Sequence, residues 1–438
     1  MDFRKLLLWT AGTALTLRGA PEAAPAADLV PSAWSIHAQS TLIFQGHPAF
    51  SADYSGQNSL ESRGEDAHTV TATLFLGHSL WPCAALFFNP EATQGTGLSN
   101  TLGVAGFPDG EATHAGDGGI KAGTARLFVR QVFGLGGDRE KVEDDQNQVA
   151  GGQDVNRFTL TLGKFSAADI FDSVSYSHDP RTQFLNWALM DNGAWDYPAN
   201  AKGYTAGLAL EWNQASRTLR WGAFLEPANA NGFALDYHLA KAWAQVAEWE
   251  ERYALGNRPG AVHALLYWNR ADMGSYAQAL QGIQPPDILL SRSYRSKVGA
   301  GLSWEQALTG NLGAFSRVGW NDGKAETWAF TEIDRTVSAG LSWKGAAWGR
   351  ATDAAGLAAV ANGLSEEHRR YLAAGGYGFI IGDGRLDYGP EELFEAYYNW
   401  QLVPWLTLAP DYQFVEHPAY NRSRGPVSVW GVRAHLQH

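Results

Sequence analysis

YTAGLALEWN, residues 204 to 213, sets Tyr204, Ala206, Leu208, Leu210 and Trp212 on one side and Thr205, Gly207, Ala209 and Glu211 on the other. A period of two is the mark of a strand with one apolar face. The other face carries small residues, a threonine and one acid, which suits a water-filled interior better than a soluble exterior. The pattern recurs. NRFTLTLG sets Phe158, Leu160 and Leu162 against Arg157, Thr159 and Thr161, and LRWGAFLE sets Leu219, Trp221, Ala223 and Leu225 against Arg220, Gly222, Phe224 and Glu226. ARLFVRQVF places Ala125, Leu127, Val129 and Phe133 opposite Arg126, Phe128 and Arg130.

Twelve more segments read as strands, from SIHAQSTLIFQ through HTVTATLFLG, AALFFN, LDYHLAKAWAQV and VHALLYWN to the closing VSVWGVRAHLQH. The total is about sixteen, an even number within the range of outer-membrane barrels. Connections alternate in length. SLWP, NQAS, QALTGN and LVP are brief, whereas 46–67, 90–123, 165–202, 270–294 and 362–386 are long. Short turns on one rim and long loops on the other are a barrel asymmetry. Two segments on the short side break the rule: the charged stretch 134–154, expected to project away from the barrel, and EERYALGNRPG at 250–260. Tyr204, Trp212, Trp268, Trp304, Trp320 and Trp343 lie near strand ends, where an interfacial aromatic girdle sits. The fold class expected is all-β: a transmembrane antiparallel β-barrel of outer-membrane porin type.

Composition agrees. The chain holds 49 glycines, 18 tryptophans, 16 tyrosines and 20 phenylalanines, with a net charge of −12 that excludes a nucleic-acid partner needing a basic face. Arg4 and Lys5 precede an apolar stretch and APAA, so residues 1–27 read as a cleaved signal peptide and 28–438 as one barrel domain. The lone Cys83 forms no internal disulfide and reads as a small wall residue. GxSxG, HExxH and CxxC are all missing from the sequence. An exported glycoside hydrolase with paired carboxylates remains the enzymatic alternative.

Particular motifs carry a resemblance: HPAF with NSL, TATLFLG, FNPEA then GLS, GVAGFPDGEA, RLFVRQVFGLGG, NQVAG, LGKF, YSHDPRTQFLNWALMDNGAWDYPA, NRADMGSY and NGLS. In this order they resemble the carbohydrate-selective porin family (OprB-type) over nearly the whole mature chain. The resemblance implies a sixteen-stranded barrel in the outer membrane of a Gram-negative bacterium, contacting its lipid. It implies facilitated diffusion of small, glucose-like sugars into the periplasm, with no enzyme activity, cofactor or metal. A general small-solute porin is the alternative within transport, and a homotrimer is left open. The sequence departs at His438, where such barrels end in Phe, and at Cys83, where Gly is expected.

A sugar offers hydroxyls and flat C–H faces, so a selective pore needs donors, acceptors and aromatic planes that hold it weakly. Arginine's planar fork suits neighbouring hydroxyls. Strand parity turns Arg126, Arg130, Arg157, Arg220 and Arg317 inward, and Arg433 less firmly, with Glu211, Glu226, Glu305 and Asp411 as acceptors. The resemblance makes 165–202 the third long loop, folded inward to narrow the barrel. Its eyelet residues would be Asp179, Arg181, Asn186, Asp191 and Asp196, with Trp187 or Trp195 either stacking on sugar or anchoring the loop. Asn89, Glu91 and Asp109 of the preceding loop would line the same constriction.

Overall fold

The computed structural model describes residues 32–112 and 119–438; the signal-peptide reading lies outside them. Sixteen strands close on themselves: β1 (Trp34–His47), β2 (Glu65–Trp81), β3 (Ala84–Gly95), β4 (Lys121–Gly134), β7 (Arg157–Phe165), β8 (Thr205–Asn213), β9 (Arg217–Phe224), β10 (Trp243–Leu255), β11 (Arg258–Met273), β12 (Ser293–Ala307), β13 (Leu312–Asn321), β14 (Arg335–Lys344), β15 (Ala354–Gly363), β16 (Glu391–Val403), β17 (Leu406–Glu416) and β18 (Val427–Gln437). Every pair is antiparallel between chain neighbours, and β18 returns to β1 in the register Gln39↔Gln437 to Gly46↔Trp430. Closure leaves no unpaired edge, which hydrocarbon would penalise heavily. The strands β5 (Arg139–Val142) and β6 (Gly151–Asp154) form a separate hairpin between β4 and β7.

Alternation decides which way each side chain faces. Along β11, Ala261, His263, Leu265, Tyr267 and Asn269 are buried, while Leu266 and Trp268 are 62% and 48% exposed. The exposed residues form the apolar outer belt together with Leu42, Phe44, Leu162, Leu210, Trp221, Leu302, Val318, Val337, Trp430 and Val432. Among the described residues no helix is long and apolar enough to cross a membrane; the strands do the crossing.

Several sequence expectations need correction. Tyr204 and Leu225 face inward rather than outward, because each lies just past a strand end where parity lapses. LDYHLAKAWAQV, residues 235–246, is mostly loop, and its strand begins only at Trp243. EERYALGNRPG is no long connection: β10 and β11 run on to a two-residue turn at Gly256–Asn257, both with positive φ. Cys83 is not a wall residue but the second residue of the two-residue turn between β2 and β3.

The interior is the largest difference. A water-filled lumen narrowed by one loop was expected, yet along β8–β17 the long loops pack into the barrel as an apolar core. Phe171 and Phe184 from residues 166–204 meet Phe224, Phe315 and Tyr397 from the wall, and Trp195 packs on Phe171. Wall and loop carboxylates fasten this packing to backbone N–H groups. Glu395 accepts from Leu185 N and Asn186 N at 2.5 and 2.9 Å, Glu391 from Ala105 N, Gly106 N and Ala419 N, and Glu332 from Ile380 N and Ile381 N. Irregular backbone buried in a barrel must find such partners.

Candidate functional site

The open space lies off-centre, between the inner wall of β1–β4 and β7 and the loop 166–204. It is a cavity of about 420 Å³, within the size range of small-molecule sites. Strands supply Gln39, Thr71, Phe75, Glu91, Arg126, Phe128, Arg130 and Thr161; the loop supplies Asp169, His178, Asp179, Arg181, Trp187, Asp191 and Tyr197. Five carboxylates (Glu91, Glu111, Asp169, Asp179 and Asp191) face four permanent cations (Arg126, Arg130, Arg181 and Lys202).

Most of that charge is paired. Arg126 Nε donates to Asp169 Oδ2 at 2.7 Å, and its guanidinium lies 5.2 Å from the Tyr204 ring centroid. Burial pushes the Asp169 carboxyl up, but Arg126 outweighs it and holds the group below its usual range. Arg181 reaches from its loop to the β3–β4 connection and to β3: Nε donates to Glu111 at 3.0 Å, and Nη2 stands 3.8 Å from Glu91. Burial opposes the Arg181 charge, but Glu111, Tyr204 and Glu91 raise its pKa above normal. Glu91 also accepts from Thr73 Oγ1 and Tyr204 Oη, each at 2.9 Å. Asp179 caps its own turn, accepting from Arg181 N and Thr182 Oγ1. Burial raises its carboxyl, yet Arg181 and Thr182 keep it ionised below the usual value.

Arg130 differs. Its Nη1 donates to the Asn147 carbonyl at 2.9 Å, and the guanidinium lies over Phe87 and Phe128 at 5.4 and 5.3 Å. Among the described residues no carboxylate forms an ion pair with it, so its remaining N–H groups are available to a solute. Five donors in a fixed fork, with one bond to a carbonyl, make it the cavity's guanidinium without a carboxylate partner.

The loop tip is deep. Arg433 Nη1, on β18, donates to the Pro180 and Gln183 carbonyls at 2.6 and 2.8 Å, and Asn399 on β16 donates to the Thr182 carbonyl. Arg433 and Asn399 each stand four residues before the short-turn end of their strands. The narrowing therefore sits in the short-turn half of the barrel.

The structure brings Arg126, Arg130, Asp179, Arg181, Trp187 and Asp191 to this cavity, with Glu91 beside them. Seven predicted site residues lie elsewhere. Arg157 is held at the short-turn rim by Glu140 and the Asp154 carbonyl. Arg220 is enclosed by Glu211, Glu248 and Glu250, which also accounts for Glu211. Arg317 is 1% exposed and is spent on Asp172 and the Leu189 and Ser177 carbonyls. Asn186 caps the short helix α1 (Trp187–Met190) and bonds Gln413. Asp196 is fully buried against Lys297 and the Trp328 and Ala329 amides. Trp195 is buried against Phe171 and Tyr197 and anchors the loop. Trp187 touches the cavity, but its ring stacks on Phe107, Phe330 and Tyr197 at 5.0, 4.9 and 5.7 Å, so its planes are largely taken. Asn89 is fully buried, and Asp109 is buried and bonded to Thr69 outside the cavity lining. Sequence reasoning missed Gln39, although it lies on the inward parity of β1, put Tyr204 on the outer face, and had no periodic signal for Asp169 or the hairpin-tip residues Gln146 and Asn147.

The model of the carbohydrate-selective porin, OprB family, matches residues 79–438. The chain belongs to this family. It is a family of outer-membrane channels rather than enzymes. The fold is also that of Pseudomonas putida OprB in its high-pH structure, with a TM-score of 0.69, 16% identity, and 93% of this chain and 94% of that one covered. A more distant likeness joins this porin to the outer-membrane channel DcaP of Acinetobacter baumannii, with a TM-score of 0.53, 10% identity, and 92% and 97% coverage. Porin AaxA of Chlamydia trachomatis serovar L2 is 25% identical over 284 residues, which are 64% of this chain. The porin spans about half of that relative's length, 52%.

Proposed function

We propose that this porin passes small neutral sugars of the glucose class across the outer membrane, inward and down their gradient, after removal of residues 1–27 as a signal peptide. The single observation that carries the reading is the charge balance of the cavity. Five carboxylates stand against four cations, and Arg126 with Asp169 and Arg181 with Glu111 and Glu91 pair five of the nine, so the charges nearly balance and leave little net field for an ionic solute. The free edges of those pairs, together with Gln39, Thr71 and Thr161, present donors and acceptors spaced for hydroxyl groups. Arg130 supplies the strongest uncommitted donors. Such a site binds weakly enough to release its solute, as conduction requires.

Liposome swelling with the purified porin tests this. Glucose should enter faster than sucrose, lysine or glutamate. Rates that follow solute size alone would make it a general porin, and release of reducing sugar from oligosaccharides would point to hydrolysis. Arg130→Ala should weaken glucose blockade of single-channel current roughly tenfold, the loss of one or two charge-assisted hydrogen bonds.

A further inference from the structure

The charged stretch 134–154, expected to project away from the barrel, turns back into it. β5 and β6 pair from Arg139↔Asp154 to Val142↔Gly151, and the tip beyond them closes with Asp145 and Gln148 bridged backbone to backbone. That tip is fastened to the inner wall. Ser35 Oγ donates to the Asp145 carbonyl at 3.2 Å, His37 Nε2 stands 3.3 Å from Asp144, and Arg130 Nη1 holds the Asn147 carbonyl. Gln146 Nε2 lies 3.0 Å from the Gln39 amide. The same Gln39 amide, with its oxygen turned to the guanidinium, accepts from Arg181 Nη1 at 3.0 Å.

Gln39 is five residues above the short-turn start of β1, and Arg130 is four residues above the short-turn end of β4. At ~3.3 Å per residue the tip therefore reaches ~13–17 Å along the tilted strands. It enters the cavity that the loop 166–204 enters from the opposite mouth, and Gln39 is the wall residue at which the two meet.

We propose that the β5–β6 tip, residues 143–148, forms the second half of the constriction: it closes the short-turn mouth, holds Arg130 in place through the Asn147 carbonyl, and presents the Gln146 amide to the passing solute. Two opposed segments, rather than the long loop alone, then set the width of the path. Asn147 acts as a positioning residue through its backbone, with φ of 55° in the left-handed region that asparagine tolerates. The closure is geometric and holds for any solute. The part of the proposal in which Gln146 contacts sugar rests on the carbohydrate reading above.

Planar-bilayer recording of the full porin separates the two. Replacing residues 143–150 by Asn-Gly, a turn suited to a hairpin ending at Val142 and Gly151, should raise KCl conductance by about twofold or more as the constriction widens. A shortened porin that keeps its strand circular dichroism and conducts like the parent would overturn the proposal. Should the shortened chain fail to insert, Gln146→Cys in a Cys83→Ser background gives the same answer. A bulky, membrane-impermeant thiol reagent should cut KCl current at least by about half if the tip lines the path, and unchanged current rejects it. Gln146→Ala should weaken glucose blockade ~2–10-fold, the share of one hydrogen bond. If the parent shows no glucose blockade while the thiol reagent still stops current through the Gln146→Cys porin, the sugar reading fails and the hairpin stands.

Discussion

Cys83, read from the sequence as a small wall residue, is corrected by its backbone. The family resemblance places Gly there, and the structure explains why: the backbone is left-handed, at φ of 61°, in a two-residue turn. A side chain in that region costs roughly 1–2 kcal/mol, partly offset by the greater freedom glycine has when unfolded. Cys83→Gly should therefore raise stability by ~0.5–1 kcal/mol, measured by denaturant unfolding in detergent; a lower midpoint would mean the turn is not strained. Asp109 is a second case. Burial, then the charge of Glu111, pushes its carboxyl up to about 7, and burial does the same to Glu332, also to about 7. Both folded values are raised, so the stability they contribute is complete below the unfolded carboxylate range. It is lost as pH climbs toward 7 and changes little beyond. The porin should melt at lower temperature at pH 8 than at pH 5, and Asp109→Asn should flatten part of that slope. An identical melting point at both pH values in the parent would contradict it. Parity could turn Arg126, Arg130 and Arg317 inward, but not reveal their partners. Arg317 meets Asp172, 145 residues away in sequence, a pairing that only the folded loop creates.

Every barrel strand but β10 coincides with a segment whose period of two is visible in the chain, because burial on one face only forces alternation. The boundaries that failed did so where that force ends, at Tyr204 and Leu225 just past strand ends, and at β10, displaced toward its short turn. Loops carry no such period. What places the loop 166–204 inside the barrel is a set of carboxylates reaching its backbone, and these look in sequence like ordinary strand acids. Glu395 is the clearest, holding Leu185 N and Asn186 N from β16. Removing it leaves two buried N–H groups without their acceptor, at a cost of ~1–3 kcal/mol each. In Glu395→Ala, hydrogen exchange of a peptide spanning 180–190 should accelerate at least by about tenfold while peptides from β11 exchange as before. Uniform acceleration would place Glu395 in the barrel's own stability, and no acceleration would remove it as a clasp.

At the scale of the molecule the barrel solves two solvent problems with one sheet. Its outer face meets hydrocarbon, and its inner face meets packed loops over β8–β17 but water and charge along β1–β4 and β7. The asymmetry matters for transport, since a path confined to one side of the barrel is narrow although the barrel is wide. The outer face is testable by depth. Leu266, mid-way along β11, is 62% exposed, while Leu255, beside the Gly256–Asn257 turn, is 61% exposed. Equal exposure thus hides unequal surroundings where the belt meets lipid. An arginine at the bilayer midplane costs ~2–4 kcal/mol, whereas near the interface it costs ~0–1 kcal/mol and its side chain snorkels to the headgroups. Leu266→Arg should lower the free energy of folding into phospholipid bilayers by the larger amount and Leu255→Arg by the smaller, measured by reversible denaturant titration of tryptophan fluorescence. The two should converge if neither position faces lipid, because water screens both alike. A measured difference would fix the level of the hydrocarbon on the strands, and with it the height of the Gln39 constriction within the membrane.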